Sequence, residues 1–313
     1  MATITHDIAL AAAQLKAGEL VALPTETVYG LAADARNPAA VAKVFALKGR
    51  PASNPLIVHV PGREQVDAWA ASVPEAAERL MAAFWPGPLT LVLPAQSDVL
   101  PAVTAGQASV ALRAPAHPQA QALLSAFGGA LVAPSANRYM SISPTCAAHV
   151  AQQFAGDELL IVDGGACAVG LESTIVSLLD EQPRLLRAGT LDPAAIEQVL
   201  GEPLLRGSAG EVRVPGQHHK HYAPGTPAFA VSELPASALQ DPRCGWLLLN
   251  PRNDLAGPVQ CLGSEPIAYA RGLYAALYAL DNAGLERIYV ELPPSGEAWT
   301  AVHDRLSRAT QPG

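Results

Sequence analysis

The apolar runs of this chain are short, and several stop at small polar clusters. Residues 20–23 hand over to PTETVYGLAADA (24–35), and KGRPASNPLIVHV (48–60) leads into a second run at residues 56–60. Such runs, bounded by Pro, Gly and Asn, read as buried strands and are too short for helices. A strand that ends at Pro24 and continues into Thr25, Glu26 and Thr27 sets hydroxyls and a carboxylate on a loop edge, where binding residues collect. Further strands are expected at 89–93, 109–112, 159–162, 173–179 and 184–187. Helical patterns cover 7–17, closed by Gly18, then 38–47, 74–84, 119–127 and 192–200. Asp192 is placed to cap the last of these, with Pro193 in its first turn. The elements do not alternate strictly as strand and helix, so the expectation is an α/β (α+β) fold with one large twisted mixed sheet, not a doubly wound one.

After Leu205 the pattern changes. Residues 207–225 carry Gly, Pro and the cluster His218-His219-Lys220-His221, and read as a linker. Strands at 227–231, 246–249 and 288–292 then frame helices at 266–282 and 299–309, a small α/β unit of the βαβ kind. The expected division is 1–206, a linker at 207–225, and 226–313. Half of the 313 residues are apolar and 15% are charged, enough for a substantial core. The net charge of −8 argues against a surface made for indiscriminate nucleic-acid or membrane binding. Cys146, Cys167, Cys244 and Cys261 form no C-x-x-C pair and read as reduced, mostly buried thiols. No apolar run is long enough for a membrane span, and the first residues lack a signal-peptide pattern, which together suggest a cytoplasmic protein.

The usual nucleotide fingerprints are absent: there is no G-x-x-x-x-G-K-[ST], and no G-x-G-x-x-G follows a strand. A phosphate site would have to be assembled from separate segments, with Lys48, Arg50, Asn54, Ser135, Asn137, Ser143 and Arg187 as candidates. Lys48 and Arg50 sit on a loop that Gly49 and Pro51 keep out of helix, and two cations there suit a polyphosphate. Arg113 ends an apolar strand, a place for either a carboxylate ligand or an ion pair to a nearby Asp. His59, inside LIVHV, reads on pattern alone as a satisfied core residue. Ser173-Thr174 reads as a hydroxyl pair or as ordinary β residues after a turn. The histidine cluster lacks a carboxylate or Cys at ligand spacing and reads as solvated linker, so no metal site is assigned. No Ser-His-Asp or Cys-His constellation is present, and a covalent intermediate is not indicated.

Taken together, PTETVYGLAADA, KGRPASNPLIVHV, WPGPLTLVLP (85–94), VTAG (103–106), VALRAPAHP (110–118), APSAN (133–137), SPT (143–145), DGG (163–165), GLESTIVSL (170–178) and LLRAGT (185–190) resemble the YrdC-like family in its long two-domain form. The resemblance implies a concave twisted sheet with a positively charged central cavity, followed by a small Rossmann-like domain. It implies an enzyme that joins L-threonine, bicarbonate and ATP, with Mg2+, into L-threonylcarbamoyl-adenylate and pyrophosphate. The product would pass to the tRNA threonylcarbamoyl-transferase machinery. By motif position, Lys48 and Arg50 would be catalytic. ATP would meet Arg50, Asn54, Ser109, Ser135, Asn137, Ser143, Arg187 and, from the linker, His219, which stands where the family commonly has Tyr. Threonine would meet Thr27, His59, Arg113, Ser173 and backbone near Ala133. The resemblance thus turns His59 from core residue to ligand. The linker would act as a lid, with Tyr222 sharing the work of His219. One rival reading is a module that binds tRNA or double-stranded RNA without turnover. Another is carbamoyl transfer as in hydrogenase maturation, which would need an acylphosphatase-like domain and C-x-x-C zinc sites that are absent here.

Overall fold

The computed structural model describes residues 1–207, 212–216 and 221–312. The described residues form one eleven-stranded mixed sheet and one five-stranded parallel sheet. Strands of the large sheet are β1 (Thr3–Thr5), β2 (Val21–Leu23), β3 (Gly30–Asp34), β4 (Ile57–His59), β5 (Leu89–Pro94), β6 (Ser109–Arg113), β7 (Leu131–Val132), β8 (Leu160–Val162), β9 (Thr174–Ser177), β10 (Arg184–Arg187) and β11 (Leu205–Arg206). Their spatial order is β1-β8-β2-β3-β7-β4-β6-β5-β9-β10-β11. Parallel and antiparallel neighbours mix throughout, so the expected sheet class holds.

Several elements escaped the sequence reading. β3 reads GLAAD, which has no β-branched residue, yet it lies inside the sheet between β2 and β7. Its first residue is crowded: a Cβ on Gly30 would lie 3.0 Å from that of Ala133. The edge strand β1 and a helix at Ala147–Gln153 were also missed, since both are short and carry weak periodicity. One helix runs one residue further than expected. It spans Pro38–Lys48, capped by the Asn37 side chain at its start and by Gly49 at φ 65° at its end. Lys48 therefore belongs to the helix and not to the loop.

The second sheet holds β12 (Ala228–Val231), β13 (Cys244–Leu248), β14 (Val259–Cys261), β15 (Arg287–Glu291) and β16 (Gln311–Pro312), in the order β14-β13-β15-β12-β16. Helices at Pro266–Asp281 and Thr300–Ala309 pack beside it. The 266–281 helix also faces the large sheet's unit. Val28, Ile142 and Leu171 share a single buried cluster with Tyr269, Leu273, Tyr274 and Leu277. The Tyr278 hydroxyl donates to Ile142 O at 2.9 Å, and its ring stacks on His149 at 3.9 Å. Of the four free cysteines, Cys167 and Cys244 are buried, Cys146 is half-buried and Cys261 is exposed, fewer buried than expected.

Candidate active site

The site lies where several strand ends meet. His59 and Arg113 close the parallel neighbours β4 and β6 and are direct register partners, so their side chains leave the same face. Ser135 follows β7 and bridges to Gly30, the first residue of β3. Ser173 precedes β9, and Arg187 ends β10, where a register irregularity after Leu185 re-aims the strand. Thr27, Arg50, His59, Arg113, Ala133, Ser135, Ser173 and Arg187 all line one small cavity of about 50 Å3. Eight of the residues expected from sequence are thus gathered from six separate segments.

Local structure explains the Lys48-Gly49-Arg50 spacing. Gly49 takes the left-handed conformation, and the Gly49 and Arg50 N–H groups donate back to Ala46 O and Phe45 O. That turn buries both cations together. Lys48 Nζ donates to Ser135 O and, at 2.6 Å, to Asn137 O, tying the helix end to the segment after β7. Burial, with Arg50 beside it, pulls Lys48 well below the ordinary lysine range. Arg50 donates to Pro55 O at 2.9 Å, and its Nε is buried with no acceptor. Burial lowers it to about 10, against the pull of Tyr139 and Tyr222. Arg187 is also lowered by burial, and donates to Ser173 O at 3.0 and 2.9 Å and to Pro215 O at 3.0 Å. Among the described residues none of Lys48, Arg50 and Arg187 has a carboxylate partner within salt-bridge distance.

Arg113 differs. Its guanidinium donates to Glu26 Oε1 at 2.6 Å, Thr27 Oγ1 at 2.9 Å and Gly87 O at 3.2 Å. The ion pair anticipated with an Asp is made with Glu26, which is buried and also accepts from Ala116 N–H at 3.0 Å. Thr25, Glu26 and Thr27 are therefore interior residues and not an exposed loop edge. His59 is buried; burial and then Arg113 push it down to about 3, so its ring is neutral. Its Nδ1 lies 3.3 Å from Ile57 O.

Other expected residues stand apart. Asn54 donates to the Tyr139 hydroxyl at 3.3 Å. Asn137 is buried behind Lys48 and donates to Arg138 O and Ser141 O. Ser143 donates to Glu172 Oε1 at 2.6 Å. Ser109 faces a different groove, with Gln107, Leu179 and Arg213, because it opens β6 while Arg113 closes it, so the two stand at opposite ends of one strand face. His219 lies outside the described residues. His221 does not behave as solvated linker: it is buried, its N–H donates to Arg308 O, and its ring lies 4.1 Å from that of Tyr222. With Pro215, Gly216 and Tyr222 it lines the cavity. Glu172 is a cavity residue that sequence reasoning did not place in the site, whereas Tyr222, expected to share the work of the lid, does line the cavity. The only signal for Glu172 was a lone carboxylate in the apolar run GLESTIVSL, since its partners Tyr274 and Arg305 lie more than a hundred residues away.

The arrangement can bind a polyanion through Arg50 and Arg187, with Lys48 behind Ser135 adding to the local positive charge, and a small amphiphile through Arg113, the neutral His59 and hydroxyls. Comparison with known proteins agrees. A family model described as telomere recombination, covering the Sua5, YciO and YrdC proteins, matches residues 13–189. A model for the threonylcarbamoyl-AMP synthase C-terminal domain matches residues 191–311. The threonylcarbamoyl-AMP synthase of Pyrococcus abyssi is 40% identical over 320 residues, 97% of this chain and 94% of that protein. That of Bacillus subtilis is 40% identical over 327 residues, 99% of this chain and 94% of that protein. The crystal structure of P. abyssi Sua5 complexed with L-threonine superposes with a TM-score of 0.89 at 37% identity, covering 99% of this chain and 97% of that one. Escherichia coli YciO, at 20% identity and a TM-score of 0.52, covers 61% of this chain and shares the fold of the first unit. The chain belongs to the Sua5/YciO/YrdC family, in the two-unit form that carries the threonylcarbamoyl-AMP synthase C-terminal domain.

Proposed function

We propose that this protein is a threonylcarbamoyl-AMP synthase, an enzyme that converts L-threonine, bicarbonate and ATP into L-threonylcarbamoyl-adenylate and pyrophosphate. The observation that carries this reading is the cavity itself. Arg50 and Arg187 line it and Lys48 is buried behind Ser135, and all three have carbonyl and hydroxyl acceptors only among the described residues. Burying cations with no salt-bridged carboxylate costs several kcal/mol, and a polyphosphate would add the negative charge that the three of them lack. Arg113 with Thr27, His59, Ser173 and the backbone at Ala133 would hold threonine by its carboxylate, amine and hydroxyl. Arg50, Asn54, Ser135, Asn137, Ser143 and Arg187, with Ser109 and His219 in supporting places, would hold ATP.

In the reaction the threonine amine loses a proton and condenses with bicarbonate, releasing water and forming a carbamate. A carbamate oxygen attacks the α-phosphorus in line. The new P–O bond forms as the bond to the β-phosphate oxygen breaks, and pyrophosphate leaves with that electron pair. The protein aligns the reactants, which can lower a barrier by roughly 7–11 kcal/mol, and its fixed cations neutralise developing phosphate charge. Mg2+ would arrive with the polyphosphate. Among the described residues no three His, Cys, Asp or Glu side chains form a cage for it, and phosphate oxygens and waters are its usual ligands.

The cavity is far smaller than the ~300–1,000 Å3 of ordinary ligand pockets. Admission of ATP therefore requires Pro215, Gly216, His221 and Tyr222 to withdraw, and residues 207–225 act as a lid between units 1–206 and 226–313. No helix among the described residues is long and apolar enough to cross a membrane. We place the activity in the cytoplasm, upstream of the enzymes that load threonylcarbamoyl onto tRNA. The test is pyrophosphate release by the purified protein with ATP and Mg2+. Release should require both threonine and bicarbonate and collapse in folded Lys48→Ala and Arg50→Ala variants. No release by the wild-type protein, with tRNA or double-stranded RNA bound, would replace this reading by an RNA-binding one.

A further inference from the structure

Glu172 poses an electrostatic problem. It lines the cavity beside Arg187, and its neighbour Ser173 takes three hydrogen bonds from the Arg187 guanidinium. A carboxylate at that place opposes a polyphosphate, and its charge already acts on Arg187. The second unit meets it. From the 300–309 helix, Arg305, with no solvent exposure, donates through Nε to Glu172 Oε2 at 2.8 Å. From the 266–281 helix, Tyr274 donates its hydroxyl to the same oxygen at 3.0 Å. Ser143 supplies a third donor to Oε1. Arg305 in turn contacts Asp304 Oδ2 at 2.7 Å and lies 5.5 Å from the Tyr222 ring, itself part of the cavity wall. Burial alone would raise the Glu172 carboxyl, but Arg305, Arg187 and Ser143 outweigh it and hold the group ionised at about 2.

We infer that Arg305 is a positioning residue for nucleotide binding: its salt bridge to Glu172, shared with Tyr274, keeps that carboxylate off Arg187 and leaves the Arg187 guanidinium for phosphate. The second unit then completes the active site electrostatically, through one cation sent across the interface. This rests on the reading of the cavity as an ATP site. It predicts an asymmetry that a merely structural bridge would not produce. Loss of Arg305 weakens ATP more than threonine, and removal of the Glu172 charge repairs the damage.

The experiment is calorimetric titration of the full chain with ATP and, separately, with L-threonine, on the wild type, Arg305→Met, and the double variant Arg305→Met with Glu172→Gln. Expected for Arg305→Met is an ATP Kd raised at least about tenfold, the scale of one lost charge-assisted contact, with threonine changed by less than about twofold. The double variant should return ATP to within about threefold of wild type, because neither buried charge remains. If Arg305→Met does not fold, the double variant carries the test alone. Wild-type-like ATP affinity there supports the inference, and a tenfold loss overturns it. Unchanged ATP affinity in Arg305→Met, equal losses for both ligands, a double variant no better than the single, or a double variant that does not fold each overturn it as well. A wild-type protein that binds no ATP overturns the nucleotide reading instead, and with it this inference.

Discussion

Replacement of Arg113 separates binding from folding at this site. The side chain is almost fully buried and is committed to Glu26 at 2.6 Å, with Thr27 and Gly87 as further acceptors. In Arg113→Met the Glu26 carboxylate keeps only the Ala116 N–H, so a buried charge is stranded. Breaking a buried pair from one side costs about 3–5 kcal/mol, a large part of the ~5–15 kcal/mol that holds a typical domain folded. The proposed role in threonine binding adds a separate effect. A hydrogen bond to a charged group is worth about 1.5–3 kcal/mol, and about 1.4 kcal/mol is tenfold in an equilibrium constant. The threonine KM should therefore rise by about 10- to 150-fold. The ATP KM should change by less than about threefold, since Arg50 and Arg187 are untouched. Pyrophosphate release at saturating ATP and bicarbonate gives the first numbers, and urea denaturation gives the stability. The deciding variant adds Glu26→Gln. Stability should then return to within about 1–2 kcal/mol of wild type, because both buried charges are gone, while the threonine KM stays high. Recovery of the threonine KM together with stability would show that Arg113 serves the fold alone. Equal loss of both substrates in the single variant would refute the threonine assignment outright.

Gly170 has φ 80°, and a Cβ there would lie 2.5 Å from the backbone oxygen of Arg271, so Gly170→Ala should pry the two units apart. We expect a loss of about 2 kcal/mol or more, measured as a lower thermal midpoint, with pyrophosphate release falling in parallel. His59 has a folded pKa near 3, below its unfolded value near 6.5. Its contribution to stability is full above about pH 6.5 and is lost as pH falls from there toward 3. His59→Asn should therefore reduce the pH dependence of the unfolding free energy in that window by up to about 1.4 kcal/mol per pH unit. An unchanged slope would mean that His59 is protonated in the folded protein. A chain ended at residue 206 loses Arg305, Tyr274, Tyr222 and the lid residues, and should release pyrophosphate at less than about a tenth of the full-length rate. Full activity in that truncated chain would exclude a role for the lid and for the second unit.

Much of the architecture is written locally. Asn37 and Pro38 open a helix, Gly49 ends it, and Asp192 with Pro193 opens another, because capping and left-handed turns depend on residues within a few positions. The apolar runs at 57–59, 89–94 and 109–113 are strands for similarly local reasons. Elements with small or ambiguous side chains were not legible. β3 is held as a strand by its ladders to β2 and to the distant β7, and Gly suits the crowded position 30 beside Ala133. The site divides in the same way. Lys48, Arg50, Arg113 and Arg187 were recognisable as cations at loop and strand ends, and His59 became a candidate through the family resemblance.

The sequence by itself determined the capped helices and the longer apolar strands of both units, the cationic and hydroxyl side chains, and membership of the family. Tertiary structure alone decided which charges meet. Register set His59 beside Arg113, folding buried Glu26 against that arginine, and the 300–309 helix delivered Arg305 to Glu172. The physical reason is range. Propensity and capping act over a few residues, whereas the state of a buried charge is set by whatever the whole fold brings within a few ångströms of it.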